Sequence, residues 1–220
     1  MRFNLRPGLS YCLIDGRPIF LDTERDRYFR LAEPLEDAFL ALLAGANDHA
    51  FTQTLFDSAI LVPGPHITHC DRDMPRPTHS VIELTGGCAS AKPAAMLLVL
   101  AIVWGTRRRL RKYALGAVLE GVAQEREAVR RLTPLSVDEA QLIEAAAGFA
   151  RSRRWIPFEP SCLLDSLALT RYLAKRGIAG RIVFGVTDSP FAAHCWVQVG
   201  ELVLNDTVGN TMAYMPIRVV

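Results

Sequence analysis

The sequence predicts an α+β chain. A small winged-helix-like module of strands and then helices is followed by a larger helical domain that closes with strands. Three observations point there. The first thirty residues are short apolar runs separated by turn residues, which is how strands read. From Pro34 onward apolar residues recur at three- and four-residue spacing, which is how helices read. Beyond Gly177 the runs around Ile182-Val183-Phe184 and Trp196-Val197 are β-like again. The expected parts are a module over residues 1–64, a linker over 65–92 and a domain over 93–220.

Half of the 220 residues are apolar and 22% are charged, enough for a buried core and against wholesale disorder. A net charge of only +2 gives no general reason to expect a nucleic-acid partner. The cysteines stand at 12, 70, 88, 162 and 195, an odd number with no C-x-x-C pair. That pattern predicts a reducing, cytoplasmic setting and no disulfide framework. The first residues, Met1-Arg2-Phe3-Asn4-Leu5-Arg6, hold no apolar stretch of the kind a secretory signal needs. The longest uncharged run, residues 93–106, is followed by Arg107-Arg108-Arg109. A membrane-spanning helix needs roughly 20 apolar residues, so this run predicts a buried helix with a solvated basic end and no stable membrane insertion.

Taken in order, residues 9–14 form a first strand, and Asp15-Gly16 is a hairpin pair suited to positive φ. Residues 18–21 form a second strand and residues 25–31 a third, packed through Tyr28, Phe29 and Leu31. Pro34 suits the first turn of a helix, whose apolar face is Leu35, Ala38, Phe39, Leu42 and Leu43, with Gly45 as its stop. A second helix covers residues 51–60 and ends before Pro63-Gly64-Pro65. Such a module leaves one strand edge open, and an open edge accepts an added peptide strand.

Five prolines within residues 63–93 mark the linker. It also collects His66, His69, Cys70 and Asp71, which are metal-ligand types. No second ligand pair stands at a suitable distance, so the cluster reads as a polar linker and no metal is assigned. Residues 94–127 read as helical, with residues 107–112 as a solvated basic face. Ser136-Val137-Asp138-Glu139 has the offset of a capping box. It opens a helix through Leu142, Ile143, Ala146, Ala147 and Phe149, whose closing arginines 151, 153 and 154 suit the negative helix end.

The stretch with chemical content begins at Cys162, which opens a helix carrying Leu163, Leu164, Leu167, Ala168, Tyr172 and Leu173 and ended by Gly177. A thiol there faces the positive end of the helix dipole, which favours thiolate, and the same N–H groups suit a developing oxyanion. Alone, Cys162 would read more simply as a buried structural cysteine. His194 follows on a strand where it shares one face with Trp196 and Gln198, leaving Cys195 on the other as a packing residue. Asp206 supplies a test of register. A turn at Gly200 that leaves three residues unpaired sets His194 opposite Asp206. A two-residue turn at Gly200-Glu201 pairs Asp206 with Cys195 instead and aims the carboxylate away. A Cys162–His194–Asp206 triad therefore requires an odd loop or a bulge. With the three together, Cys162 attacks a peptide carbonyl, His194 takes and returns the proton, and Asp206 fixes the imidazole tautomer.

On these residues the chain resembles the B protein of lasso-peptide biosynthesis, in its fused proteobacterial form. The matching segments are Cys162-Leu163 with Ser166-Leu167-Ala168-Leu169, then Arg176-Gly177-Ile178, the strand His194-x-Trp196-Val197-x-Val199, and Asn205-Asp206. The C-terminal part is similar to transglutaminase-like, papain-related cysteine peptidases. The N-terminal part is similar to a precursor-recognition element, with Arg27-Tyr28-Phe29-x-Leu31 on its third strand. Where the family usually has alanine after its histidine, this chain has Cys195. The resemblance implies a leader peptidase with Cys162, His194 and Asp206 as its catalytic residues. It implies leader binding at Arg27, Tyr28, Phe29 and Leu31 by strand addition along residues 25–31. The implied partners are a lasso precursor peptide and an asparagine-synthetase-like cyclase. No cofactor is expected in this chain, ATP acting through the cyclase. The same triad would serve a transglutaminase or other acyltransferase, and a non-catalytic peptide-binding scaffold is the third reading.

Overall fold

A computed structural model describes residues 3–45, 49–64, 74–86, 93–132 and 138–220. The chain opens with β1 (Phe3–Leu5), β2 (Leu9–Ile14), β3 (Arg17–Asp22) and β4 (Arg27–Phe29). β2, β3 and β4 form an antiparallel meander. Ile14 pairs with Arg17, so Asp15 and Gly16 make a two-residue turn with φ of 50° and 78°, a conformation glycine adopts freely and aspartate tolerates. β4 is shorter than the expected third strand because Asp26, at φ 48°, still belongs to the turn before it. Then come α1 (Glu33–Leu43), with Pro34 in its first turn and Gly45 beyond its end at φ 87°, and α2 (His49–Asp57). α2 stops ahead of the expected residue 60, and Ala59 beyond it stands at φ 54°. β5 (Leu61–Pro63) pairs with β1 in a separate antiparallel ladder. Three-residue strands are too short to leave a period, so neither is legible in the sequence.

The meander is buried on both faces. On one, Tyr11 and Phe20 each lie 5.0 Å from the ring of Phe39 and form a core with Leu55 and Leu61. On the other, Cys12, Ile19 and Leu21 join the large core of the C-terminal part. That part comprises β6 (His79–Ser80), α3 (Val81–Thr85), α4 (Pro93–Lys112), α5 (Leu115–Leu132), α6 (Glu139–Arg153), α7 (Cys162–Ala174), β7 (Arg181–Thr187), β8 (Ala192–Val199), β9 (Leu202–Val203), α8 (Val208–Met212) and β10 (Met215–Val219). Its sheet runs β10-β7-β8-β9-β6, antiparallel apart from the β6–β9 pair.

α7 is the central helix, with Leu167, Ala168, Leu169 and Leu173 almost wholly buried. It packs on β8 and beneath α4, α5 and α6. The helical stretch expected over residues 94–127 is two helices. The chain breaks between them and the Gly116 N–H donates to the Thr23 carbonyl at 2.8 Å. A side chain at Gly116 would crowd that carbonyl. The uncharged run on α4 is only partly buried: Val99 and Val103 face the core while Leu97 is 69% exposed and Trp104 55%. Among the described residues no helix is long and apolar enough to cross a membrane. The basic segment that follows is not all solvated, since Arg107 lies over the Phe158 ring at 4.7 Å. α6 begins after an extended Asp138 whose side chain makes no cap hydrogen bond. Ser136 of the expected capping box, and the His66, His69, Cys70 and Asp71 cluster, lie outside the described residues.

Candidate active site

Cys162 is the first residue of α7 and is exposed, preceded by Ser161 in extended conformation (φ −144°, ψ 129°). The loop that delivers it is held by one side chain. Arg153, at the end of α6, donates to the carbonyls of Ile156 (3.3 Å), Phe158 (3.0 Å) and Glu159 (3.2 Å). Its Nε donates to Asp165 Oδ1 at 2.6 Å, and the second oxygen of Asp165 accepts from the Ser161 N–H at 3.3 Å. The sequence assigned Arg153 to the helix dipole. It is a nearly buried fork that ties α6, the loop and the first turn of α7 together.

His194 stands on β8, where it pairs with Gly185 of β7. The turn after β8 is the two-residue one: Val199 pairs with Leu202 and Gln198 with Val203. By the register criterion Asp206 should then point away, and it does not. The ladder ends at Val203, and the chain bends through residues 204–206. The Asn205 side chain moves into the ladder's place, accepting from the Val197 N–H at 2.7 Å and donating to Ser166 Oγ at 3.0 Å. Ser80 Oγ donates to the Asp206 carbonyl. This departure from the ladder re-aims Asp206, whose Oδ2 is hydrogen-bonded to His194 Nε2. Nδ1 is left for the thiol of Cys162, to which His194 is also hydrogen-bonded. The His194 ring is flanked by Tyr214 at 5.2 Å and Trp196 at 6.2 Å.

Each member of this line shifts its neighbour. The Cys162 thiol is lowered to about 4, first by its hydrogen bond with Cys195 and then by that with His194, against an opposing effect of burial. His194 is raised to about 9, by Asp206 first and Cys162 second. Burial would raise the Asp206 carboxyl. The hydrogen bonds from His194, from Asn210 (2.9 and 3.1 Å) and from the Thr207 N–H (2.7 Å) outweigh it and hold the group below the usual carboxylate range. At neutral pH the pair is therefore thiolate and imidazolium, the form in which a cysteine attacks a carbonyl. Alkylation of Cys162 by iodoacetamide, followed by peptide mass mapping, should keep its full rate from pH 8 down to about 5 and halve near pH 4. An ordinary thiol would lose its rate below about pH 8.5.

Cys195 is not remote from this chemistry. Its face of β8 is the one that packs on α7, and it is buried. Its carbonyl accepts from Ser166 Oγ at 3.2 Å, and its thiol is hydrogen-bonded to that of Cys162. The Cys162 neighbour first, and burial second, push the Cys195 thiol strongly upward, so it stays protonated and serves as a donor.

The four residues expected to hold a leader do not share one surface. Phe29 and Leu31 belong to the core of the N-terminal module. Arg27 is half exposed, with its guanidinium over the Phe29 ring at 5.0 Å. Tyr28 packs toward the α7–β8 core. β4, which carries three of them, is an edge strand of its sheet. The residues that sequence reasoning missed are Arg153, Ser166, Asn205 and Asn210. Ser166 and Asn205 left a sign, through their places in the motifs that follow Cys162 and precede Asp206.

Residues 96–219 match the family model described as the transglutaminase-like superfamily. A segment of 49 residues is 47% identical to the microcin J25-processing protein McjB of Escherichia coli, covering 22% of this chain and 24% of that protein. The chain thus matches about a quarter of the length of this curated relative. No solved structure matches.

Proposed function

We propose that this chain, which belongs to the transglutaminase-like superfamily, is a cysteine peptidase that removes the leader from a lasso-peptide precursor before ring closure. The observation that carries the reading is the hydrogen-bonded line of Cys162, His194 and Asp206, with the thiol lowered to about 4. The likeness to a microcin-processing protein supports the substrate class. Cys162 Sγ bonds to the scissile carbonyl carbon, the C–N bond breaks, and His194 gives its proton to the leaving amine of the core. Water, deprotonated by His194, then releases the leader from the thioester. Asp206 holds the imidazole with Nδ1 toward the thiol throughout.

In this reading the N-terminal part is a winged-helix-like recognition element that binds the leader along residues 25–31. β4 supports it, because among the described residues its outer edge has no strand partner and an unpaired edge takes an extended peptide by main-chain hydrogen bonding. The freed core amine passes to an asparagine-synthetase-like cyclase, which supplies the ATP chemistry. The enzyme works in the cytoplasm.

Mass spectrometry of the cognate precursor, incubated with wild-type protein and with Cys162→Ala, tests this with cyclase and ATP present and absent. The expected result is a single cut at the leader–core junction, lost in the variant while precursor binding persists. A precursor bound but uncut in every condition would make the protein a recognition scaffold. A product that gains an amine in place of water would make it an acyltransferase.

A further inference from the structure

The side chains of β4 alternate between two neighbours. Phe29 enters the module's own core and stacks on Phe20 at 5.3 Å between ring centroids. Tyr28 turns the other way and packs against the core that holds α7 and β8. Its ring lies 5.7 Å from that of Phe191, which is 53% exposed. Beside it, the Arg30 guanidinium is ion-paired with Asp188. Asp188 and Phe191 belong to the loop that leads into the strand of His194. The phenol is within electrostatic reach of both thiols as well: burial first, then Cys195 and Cys162, oppose its ionisation. One strand therefore offers an edge for a peptide and sends an aromatic side chain against the loop that enters the His194 strand, on the side of the Cys195 and Cys162 thiols.

We propose that Tyr28 is a wall of the substrate cleft at Cys162, so that the strand which holds the leader also limits the size of the residue at the scissile bond. The inference rests on the peptidase reading. It gives Tyr28 a different task from Arg27 on the same strand, whose half-exposed guanidinium lies over the Phe29 ring and beside Asp22. A wall built of one ring is adjustable. Removing the ring widens the cleft and a larger ring narrows it, whereas a residue needed only for folding would respond to both changes with the same sign.

Alkylation of Cys162, read by peptide mass mapping, tests the wall without requiring turnover. Two reagents are compared, iodoacetamide and the bulkier N-phenylmaleimide. Tyr28→Ala should raise the maleimide-to-iodoacetamide rate ratio about tenfold, the lower end of the range by which an apolar pocket discriminates size. Tyr28→Phe should leave the ratio at the wild-type value, and Tyr28→Trp should lower it. A ratio unmoved by both the alanine and tryptophan variants overturns the proposal. So does a ratio that rises in both, because that reports loosened packing. Leader affinity is measured in parallel in all four proteins by fluorescence anisotropy with a labelled leader peptide. A loss of affinity with unmoved ratios would make Tyr28 a leader contact instead. If wild-type protein fails to cut the precursor while the ratios move as expected, the peptidase reading falls and the wall stands.

Discussion

Exchanging His194 for alanine is expected to lower the rate of leader cleavage by about 10⁴-fold, with precursor binding unchanged. The imidazole does two things that no neighbour replaces. Its hydrogen bond helps hold Cys162 as thiolate, and it carries the proton to the departing amine. Asp206→Asn should cost less, about 10²-fold, because an amide oxygen can still accept from Nε2–H while the carboxylate that does most to hold His194 as imidazolium is lost. The reactive thiolate–imidazolium form exists between the two ionisations. Cleavage by wild type should therefore rise as pH increases through about 4, hold across neutrality and fall as pH increases through about 9. Single-turnover cleavage of the precursor across that range, with binding followed separately, checks all three statements. An His194→Ala variant that cleaves within tenfold of wild type would remove the imidazole from the mechanism.

The elements of this fold were legible where a period or a special backbone angle leaves a mark. β2 and its Asp15-Gly16 turn stand where the residues place them, because alternation and positive φ both have sequence signatures. β1 and β5 left none, since three residues cannot display a period. The site was legible as residue types in order, Cys162 at a helix start and His194 on a strand. Its geometry was not. The register criterion allowed two ways of aiming Asp206, by turn length or by bulge. The chain uses a bend after β9, held by Asn205 occupying a backbone position in the ladder. A side chain that substitutes for a main-chain partner has no periodic signature. Cys195 was misplaced for a related reason. Alternation assigned it correctly to the face opposite Trp196, but which face meets α7 is a tertiary fact.

Arg153→Leu should destabilise the fold by about 3 kcal/mol, the lower part of the range for breaking a largely buried ion pair by removing one partner. The Arg153 side chain is 10% exposed and that of Asp165 20%, so some solvent remains to soften the loss. The substitution leaves the Asp165 carboxylate without its guanidinium and three loop carbonyls without their donor. If Arg153 merely complemented the dipole of α6, the cost would be about 0.3–1 kcal/mol. The two roles thus differ by more than the error of a urea titration. Arg153→Lys should recover little, because a single ammonium cannot span Asp165 and the carbonyls of Ile156, Phe158 and Glu159 at once. A double-mutant cycle with Asp165→Asn should return a coupling of at least about 1 kcal/mol, the mark of residues in one network. Because the same fork sets the path of the chain into Cys162, the lysine variant should also cleave the precursor more slowly at saturating substrate while its leader affinity stays at the wild-type value. A variant that loses stability yet keeps its full cleavage rate would confine Arg153 to folding and leave the first turn of α7 held by its own packing.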